Sequence, residues 1–229
     1  MSELLPVFLN LAGRHVLLVG GGHVATAKLR QLLAAEAVVR VVAPDVAREI
    51  RQAASSPHRQ VTVVRRAFEP ADLEGVWLVV AAAIPTINRQ VAEAAEARRV
   101  FVNAVDDPAN ASAFLSGVVR RDGVTLAIST SGAAPALAAL LREGLDALLP
   151  RDLARWVWQA RGERLAWRRD GVPMEARKPR LLRALNALYD DDAGEREEQA
   201  EHVRFPVAAI SADRGPRVPW LNAPEDSWL

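Results

Sequence analysis

Apolar residues over the first hundred positions fall into short, near-continuous runs separated by longer stretches of helical pattern. The runs predict strands at His15–Val19, Val38–Val42, Val61–Arg65, Trp77–Ala81 and Phe101–Ala104. Helices are predicted over Val24–Glu36, Val46–Ala54 and Ile87–Ala97. Strands that are apolar throughout, rather than alternating, are buried on both faces, which points to a parallel sheet covered by helices. The expected fold is therefore α/β, a Rossmann-like doubly wound parallel sheet.

The pattern changes after Asp106. Phe114–Arg120 and Val124–Thr130 read as two strands, and the Asp122-Gly123 step between them favours a hairpin turn. Pro135 is placed to open a helix that Pro150 closes. Residues 151–189 read as two or three more helices, broken at Gly171 and Pro173. The expected organisation is a nucleotide-binding domain over 1–108, a β-hairpin/helix dimerisation region over 109–150, a C-terminal helical domain over 151–189, and an acidic, Pro-containing arm over 190–229.

Composition narrows the chemistry. The 229 residues contain no cysteine, which excludes disulfides, thiolate metal sites and a cysteine nucleophile. Lys+Arg total 29 against 28 Asp+Glu, so overall charge gives no reason to expect nucleic acid as a partner. No apolar run is long enough for a membrane span, and the N-terminal stretch, with Glu3 and no basic start, does not read as a signal peptide. The cytoplasm is the expected compartment. Charge is unevenly spread: Arg151–Arg183 holds ten basic residues against four acidic, and the residues beyond hold four basic against ten acidic. The four histidines, His15, His23, His58 and His202, are scattered without metal-ligand spacing, so no permanent metal site is expected.

Directly after the first strand stands Gly20-Gly21-Gly22-His23-Val24-Ala25, which satisfies G-x-G-x-x-A. Gly20 would permit the tight turn, Gly22 the approach of backbone to a pyrophosphate, and Ala25 close packing of helix on sheet. The alternative is a glycine-rich connection without a ligand. Beyond the second strand, Asp45 follows Ala43 and Pro44. It could accept a hydrogen bond from a ribose hydroxyl, which favours NAD over NADP, or cap a helix starting at Val46. Asp106-Asp107-Pro108, just past the fifth strand, is either a site where ligands of such sheets collect or simply a turn.

Several strings together resemble the N-terminal half of siroheme synthases. They are Leu5-Pro6-Val7-Phe8 with Leu11, Val19 through Lys28, Val42-Ala43-Pro44, Arg66 through Leu73, Val102 through Pro108, Ala127 through Pro135, and Leu140 through Glu143. This family comprises precorrin-2 dehydrogenases, often also sirohydrochlorin ferrochelatases. The resemblance covers about residues 4–150. It implies NAD-dependent oxidation of precorrin-2 to sirohydrochlorin by a homodimer, with Fe2+ as a second substrate where chelation accompanies oxidation. It maps the chief catalytic residue to Asp106, cofactor contacts to Gly20, Gly22, His23, Val24, Ala43, Pro44 and Asp45, and a substrate-binding serine-rich turn to Ser129, Thr130 and Ser131. A substrate rich in carboxylates calls for cations, and Arg120 and Arg121 in the hairpin are candidates beside the basic helical segment. Trp156 and Trp158 in that segment read as packing residues.

Family members usually read A-A-T-D-D after the fourth strand, whereas this chain reads Ala81-Ala82-Ala83-Ile84-Pro85. A threonine hydroxyl and two carboxylates are thereby absent from a loop beside the cofactor. No methyltransferase half is recognised, so uroporphyrinogen methylation is not expected. Two other readings remain open at this point: a non-catalytic NAD-sensing module, and a chelatase without dehydrogenase activity.

Overall fold

The computed structural model describes residues 3–57 and 60–193. The expectations for His58, His202 and residues 194–229 lie outside the described residues. The chain divides into two compact units, one holding residues up to 117 together with 127–139, the other 118–126 together with 140 onward.

The first unit is built on five parallel strands: β1 His15–Val19, β2 Val38–Val42, β3 Val61–Val64, β4 Leu78–Ala81 and β5 Phe101–Ala104. Their order is β3-β2-β1-β4-β5, with Val19 paired to both Val42 and Ala81. Alternate residues of each strand serve opposite faces, as a two-residue repeat requires. Val16, Leu18, Val39, Val41 and Val80 form one core with Leu29 and Leu32 of α1 (His23–Ala34) and Ile50 of α2 (Arg48–Ala54). Leu17, Val19, Val79, Ala81 and Val102 form the other with Val91, Ala92 and Ala95 of α3 (Pro85–Glu96). Both cores are predominantly apolar, with Asn103 of β5 a buried polar exception, which explains why the strands read as near-continuous hydrophobic runs.

Two boundaries differ from expectation for identifiable reasons. The second helix was expected from Val46, but the Ala47 N–H donates to the Gly21 carbonyl at 2.7 Å. That bond draws residues 45–47 over the glycine turn, so α2 starts at Arg48 with Ala47 as its N-cap. The first hairpin strand was expected from Phe114. Instead, the Ser112 and Ala113 N–H groups both donate to the Val102 carbonyl at 2.9 Å, and the Val102 N–H donates to Ser112 Oγ at 2.9 Å. Residues 112–113 are thus pinned beside β5, and the hairpin is β6 Gly117–Arg121 with β7 Val124–Ile128. Asp122 and Gly123 both take positive φ, as a two-residue hairpin turn of that handedness demands.

The helix α4 runs over Pro135–Leu148, as Pro135 foretold. In the second unit α5 (Leu153–Arg169) packs on α6 (Met174–Ala193). Gly171 ends α5 at φ +64, and the Val172 N–H returns to the Trp167 carbonyl at 3.0 Å, the bond of a Schellman cap. Trp156 donates through Nε1 to the Tyr189 hydroxyl at 2.7 Å, which in turn donates to Asp152 at 2.9 Å. Trp158 was expected as a packing residue, but it is 75% exposed. No helix among the described residues is long and apolar enough to cross a membrane.

Candidate functional site

The strand order reverses at β1, because β2 lies on one side of it and β4 on the other. A crevice opens there beyond the carboxyl ends of the strands. Gly20 leaves β1 at φ +124, where a side chain is strained, and a Cβ on it would strike the Ala82 carbonyl after β4. A Cβ on Gly21 would strike the Asp45 carbonyl after β2. Glycine is therefore required at both positions by the closing of the two neighbouring loops. Gly22 differs, because a Cβ there would meet nothing within 4 Å. Its surroundings are open, as backbone that must admit a ligand should be.

Gly22 is also the N-cap of α1, and no side chain satisfies the free N–H groups of the first turn. His23 and Val24 stand exposed on that turn, while Ala25 and Thr26 are buried against the sheet. Ala43 is buried at the end of β2, and Pro44 and Asp45 are exposed beyond it. Asp45 does not cap α2, whose N-cap residue is Ala47. An open Gly22, an uncapped helix N-terminus and an exposed carboxylate after β2 fit a dinucleotide: pyrophosphate on the N–H groups, ribose on Asp45.

The altered loop after β4 is held differently from the sequence expectation. The Ala83 N–H donates to Oδ1 of Asn88 at 3.0 Å, with Asn88 buried on α3. Ile84 is the N-cap residue of α3 and is 64% exposed.

Past β5 the chain turns sharply. Asp106 takes φ +57, which costs a non-glycine residue of order 1 kcal/mol and is tolerated best by Asn and Asp. Its carboxylate is exposed and carries no hydrogen bond among the described residues. The neighbouring Asp107 accepts from Nδ2 of Asn110 at 2.8 Å, which stabilises the turn. The two aspartates are thus separated by role: Asp107 holds the turn and Asp106 is presented by it.

The serine-rich turn reaches the same place. Ser131 and Gly132 take φ +54 and +77, Ser131 N–H donates to Ser129 Oγ at 3.1 Å, and Ala134 N–H donates to Thr130 Oγ1 at 3.2 Å. A Cβ on Gly132 would lie 2.9 Å from Cγ of Pro108, so the two turns touch backbone to ring. Ser129, Thr130 and Ser131 therefore stand beside the Asp106 turn. Arg120 belongs to the other unit, exposed on β6. Arg121 is not free for a ligand: it donates to Asp146 at 2.6 Å and to the Leu149 carbonyl at 2.9 Å.

Three residues of this edge drew no role from sequence. Gly21 is one. Asn103 on β5 is another: it is only 7% exposed, its Nδ2 donates to the Ala113 carbonyl at 2.9 Å, and its Oδ1 is a buried acceptor without a partner. A lone polar residue in an apolar strand was the available signal. Lys28 on α1 is the third; burial lowers its pKa from the ordinary lysine range, and the Asp106 carboxylate acts against that shift. No group of three or more His, Cys, Asp or Glu that could hold a metal ion occurs among the described residues.

Residues 7–117 match a family model described as "Putative NAD(P)-binding", and residues 121–148 match one described as "Sirohaem biosynthesis protein central". The chain is 44% identical over 152 residues to siroheme synthase 2 of Klebsiella pneumoniae, a match covering 66% of this chain and 33% of that protein. It is 43% identical over 152 residues to siroheme synthase of Photorhabdus laumondii, covering 66% and 32%. The chain therefore spans about a third of the length of these curated relatives. Among solved structures, SirC, a precorrin-2 dehydrogenase, superposes with a TM-score of 0.62 at 27% identity, covering 79% of this chain and 88% of that one. The parallel sheet, hairpin and C-terminal helices follow that dehydrogenase fold. The chain is thus similar to siroheme synthases over about a third of their length and to a precorrin-2 dehydrogenase over most of its length.

Proposed function

We propose that this chain oxidises precorrin-2 to sirohydrochlorin with NAD, as its likeness to siroheme synthases and to a precorrin-2 dehydrogenase suggests, and that Asp106 is the catalytic residue. The single observation that supports this reading most is the exposed, hydrogen-bond-free carboxylate of Asp106 on a strained turn at the carboxyl edge of the sheet. NAD, when bound, supplies a hydride acceptor. Gly22 and the first turn of α1, with His23 and Val24, receive the pyrophosphate, and Ala43, Pro44 and Asp45 receive the adenosine ribose. Loss of a hydride from the macrocycle leaves one proton to remove, and Asp106 accepts it at a carboxylate oxygen. Ser129, Thr130 and Ser131 orient the macrocycle from the adjoining turn.

The same carboxylate suits a second reaction. Insertion of Fe2+ into sirohydrochlorin expels two pyrrole protons, and Asp106 can receive one of them. The supporting observation is that Asp106 is held for presentation rather than bonded within the turn. A homodimer joined through residues 109–150 completes the reading, with 1–108 holding cofactor and the reaction taking place in the cytoplasm. Exposed Leu137, Leu145 and Leu148 on α4 give such a pairing an apolar surface.

The test mixes the protein with NAD and precorrin-2 and follows NADH absorbance. Expected is NADH formation that Asp106→Asn lowers by about a hundredfold with NAD affinity unchanged. NAD binding with no turnover of intact precorrin-2 would sink the dehydrogenase reading and favour a sensing module. Iron insertion into sirohydrochlorin, measured without NAD, decides the second activity.

A further inference from the structure

β5 is the edge of the parallel sheet, so its outward N–H and C=O groups have no neighbouring strand to bond. At Val102 the returning chain takes that place. The Val102 carbonyl accepts from the Ser112 and Ala113 N–H groups at 2.9 Å, and the Val102 N–H donates to Ser112 Oγ at 2.9 Å. A further strand would offer that N–H a backbone carbonyl; here a side-chain hydroxyl serves. One position on, Asn103 Nδ2 donates to the Ala113 carbonyl at 2.9 Å. The outgoing chain is held to β4 by the Val105 N–H, which donates to the Ala81 carbonyl at 2.9 Å. Residues 104–111, Asp106 among them, thus form a loop whose two ends are fastened side by side.

We infer that Ser112 is a positioning residue of this site, whose hydroxyl closes the base of the Asp106 loop and so fixes where that carboxylate is presented. The role rests on the reading of Asp106 given above. The Asp106 backbone stands at φ +57, a conformation that the surrounding chain must impose. On one side of the loop the Pro108 ring meets Gly132, and Asp107 accepts from Asn110. The clamp at Val102 fixes the other side. Such fixing matters at a proton acceptor, because a misplacement of about 1 Å at a reacting group can cost about a hundredfold in rate.

The Ser112 bond differs in kind from those of the serine-rich turn. Ser129 and Thr130 accept from residues two and four positions away, so each shapes its own turn. Ser112 accepts from a residue ten positions away, across the whole loop. It also donates its own N–H to that same residue. Two bonds from Ser112 to one partner set the register of the returning chain against β5, which a single N–H···O bond would leave freer to swing. Threonine carries the same hydroxyl acceptor and alanine carries none, so the two substitutions separate the bond from the backbone around it.

Two measurements test this. Amide hydrogen exchange in the cofactor-free protein reads the clamp itself. Ser112→Ala should speed exchange of the Val102 amide about tenfold or more while the amides of β1 stay as they were, and Ser112→Thr should keep it slow. Equal protection of Val102 in Ser112→Ala would overturn the clamp. Steady-state oxidation of precorrin-2 by the whole protein reads its consequence. Ser112→Ala should lower kcat about tenfold with KM for NAD within about twofold, and Ser112→Thr should recover most of the loss. In the Asp106→Asn background Ser112→Ala should cost nothing further, whereas a general structural defect would cost the same in both backgrounds. An unchanged kcat, an equal loss in both backgrounds, or Ser112→Thr no better than Ser112→Ala would overturn the positioning role. If Asp106→Asn itself keeps full rate, the reading of Asp106 fails instead. A strong Asp106 effect beside an inert Ser112 removes only the present inference.

Discussion

Gly132 packs its α-carbon against the ring of Pro108, leaving no room for a Cβ, which would lie 2.9 Å from Pro108 Cγ. Through this contact the serine turn and the Asp106 turn are fitted to each other, although 25 residues separate Asp106 from Ser131. Gly132 also stands at φ +77. Gly132→Ala should therefore cost about 1–2 kcal/mol of stability and, by parting the two turns, lower kcat/KM for precorrin-2 about tenfold or more. Thermal melts and steady-state kinetics check it. A variant with full activity would show that the serine turn has no part in the reaction.

The three glycines after β1 should respond differently to alanine. Gly20→Ala and Gly21→Ala drive a Cβ into the Ala82 and Asp45 carbonyls, so both should lower Tm markedly. Gly22→Ala has open space in the ligand-free protein and should melt near the native temperature. Its methyl group would stand where the pyrophosphate approaches, so its NAD affinity should fall about tenfold or more. Calorimetry of NAD binding beside melting curves separates the two outcomes.

Much of this was legible in the sequence because the physics was local. Near-continuous runs such as Val16-Leu17-Leu18-Val19 could be read as strands since both sheet faces are largely apolar. The glycine turn was legible because only its residue types meet that geometry. What was not legible depends on contacts between distant segments. The hairpin begins at Gly117 rather than Phe114 because Val102 holds residues 112–113 beside β5, and α2 begins late because Gly21 captures Ala47. Arg121 and Arg120 read alike as adjacent cations, but only the position of Asp146 shows that one is spent on structure. The unpartnered Oδ1 of Asn103 is likewise a property of packing that no pattern announces.

Asp72 anchors the loop after β3. Its buried carboxylate accepts from Arg66 at 2.6 and 2.8 Å and from the Glu69 N–H at 2.9 Å. The Arg66 hydrogen bonds hold its pKa below the ordinary carboxylate value, against the opposing effect of burial. The folded protein thus releases this proton more readily than the unfolded chain. The resulting stabilisation is complete above the unfolded value of about 4 and is lost as pH falls through the folded value. Asp72→Asn should cost about 1–3 kcal/mol at neutral pH and flatten the acid side of the stability curve. Denaturant midpoints between neutral and acid pH measure both.

Lys28 gives the opposite sign at the other end of the pH scale. Burial lowers its pKa, with Asp106 opposing. Between the folded value and the unfolded value of about 10.4, the unfolded chain binds more protons, so stability gains with rising pH from this group. Lys28→Met should remove that gain and raise stability at neutral pH, where the wild type carries the cost of a half-buried ammonium. A variant less stable than wild type at neutral pH would mean that attraction to the Asp106 charge outweighs desolvation.

Arg120 and Arg121 offer a paired test of substrate recognition. Arg121 ties the hairpin to α4 and the residue after it through Asp146 and the Leu149 carbonyl, so Arg121→Ala should lower Tm. Arg120 is exposed on the adjacent position of β6. Arg120→Ala should leave stability within about 0.5 kcal/mol of the native protein, as surface substitutions do. If Arg120 holds a carboxylate of the macrocycle, its loss should raise KM for precorrin-2 about tenfold with KM for NAD unchanged, and Arg120→Lys should restore only part of that affinity, because an ammonium lacks the bidentate fork. Equal KM values for Arg120→Ala and wild type would move carboxylate recognition to the basic residues of α5 and α6, where Arg161, Arg164 and Arg168 would be the next to replace.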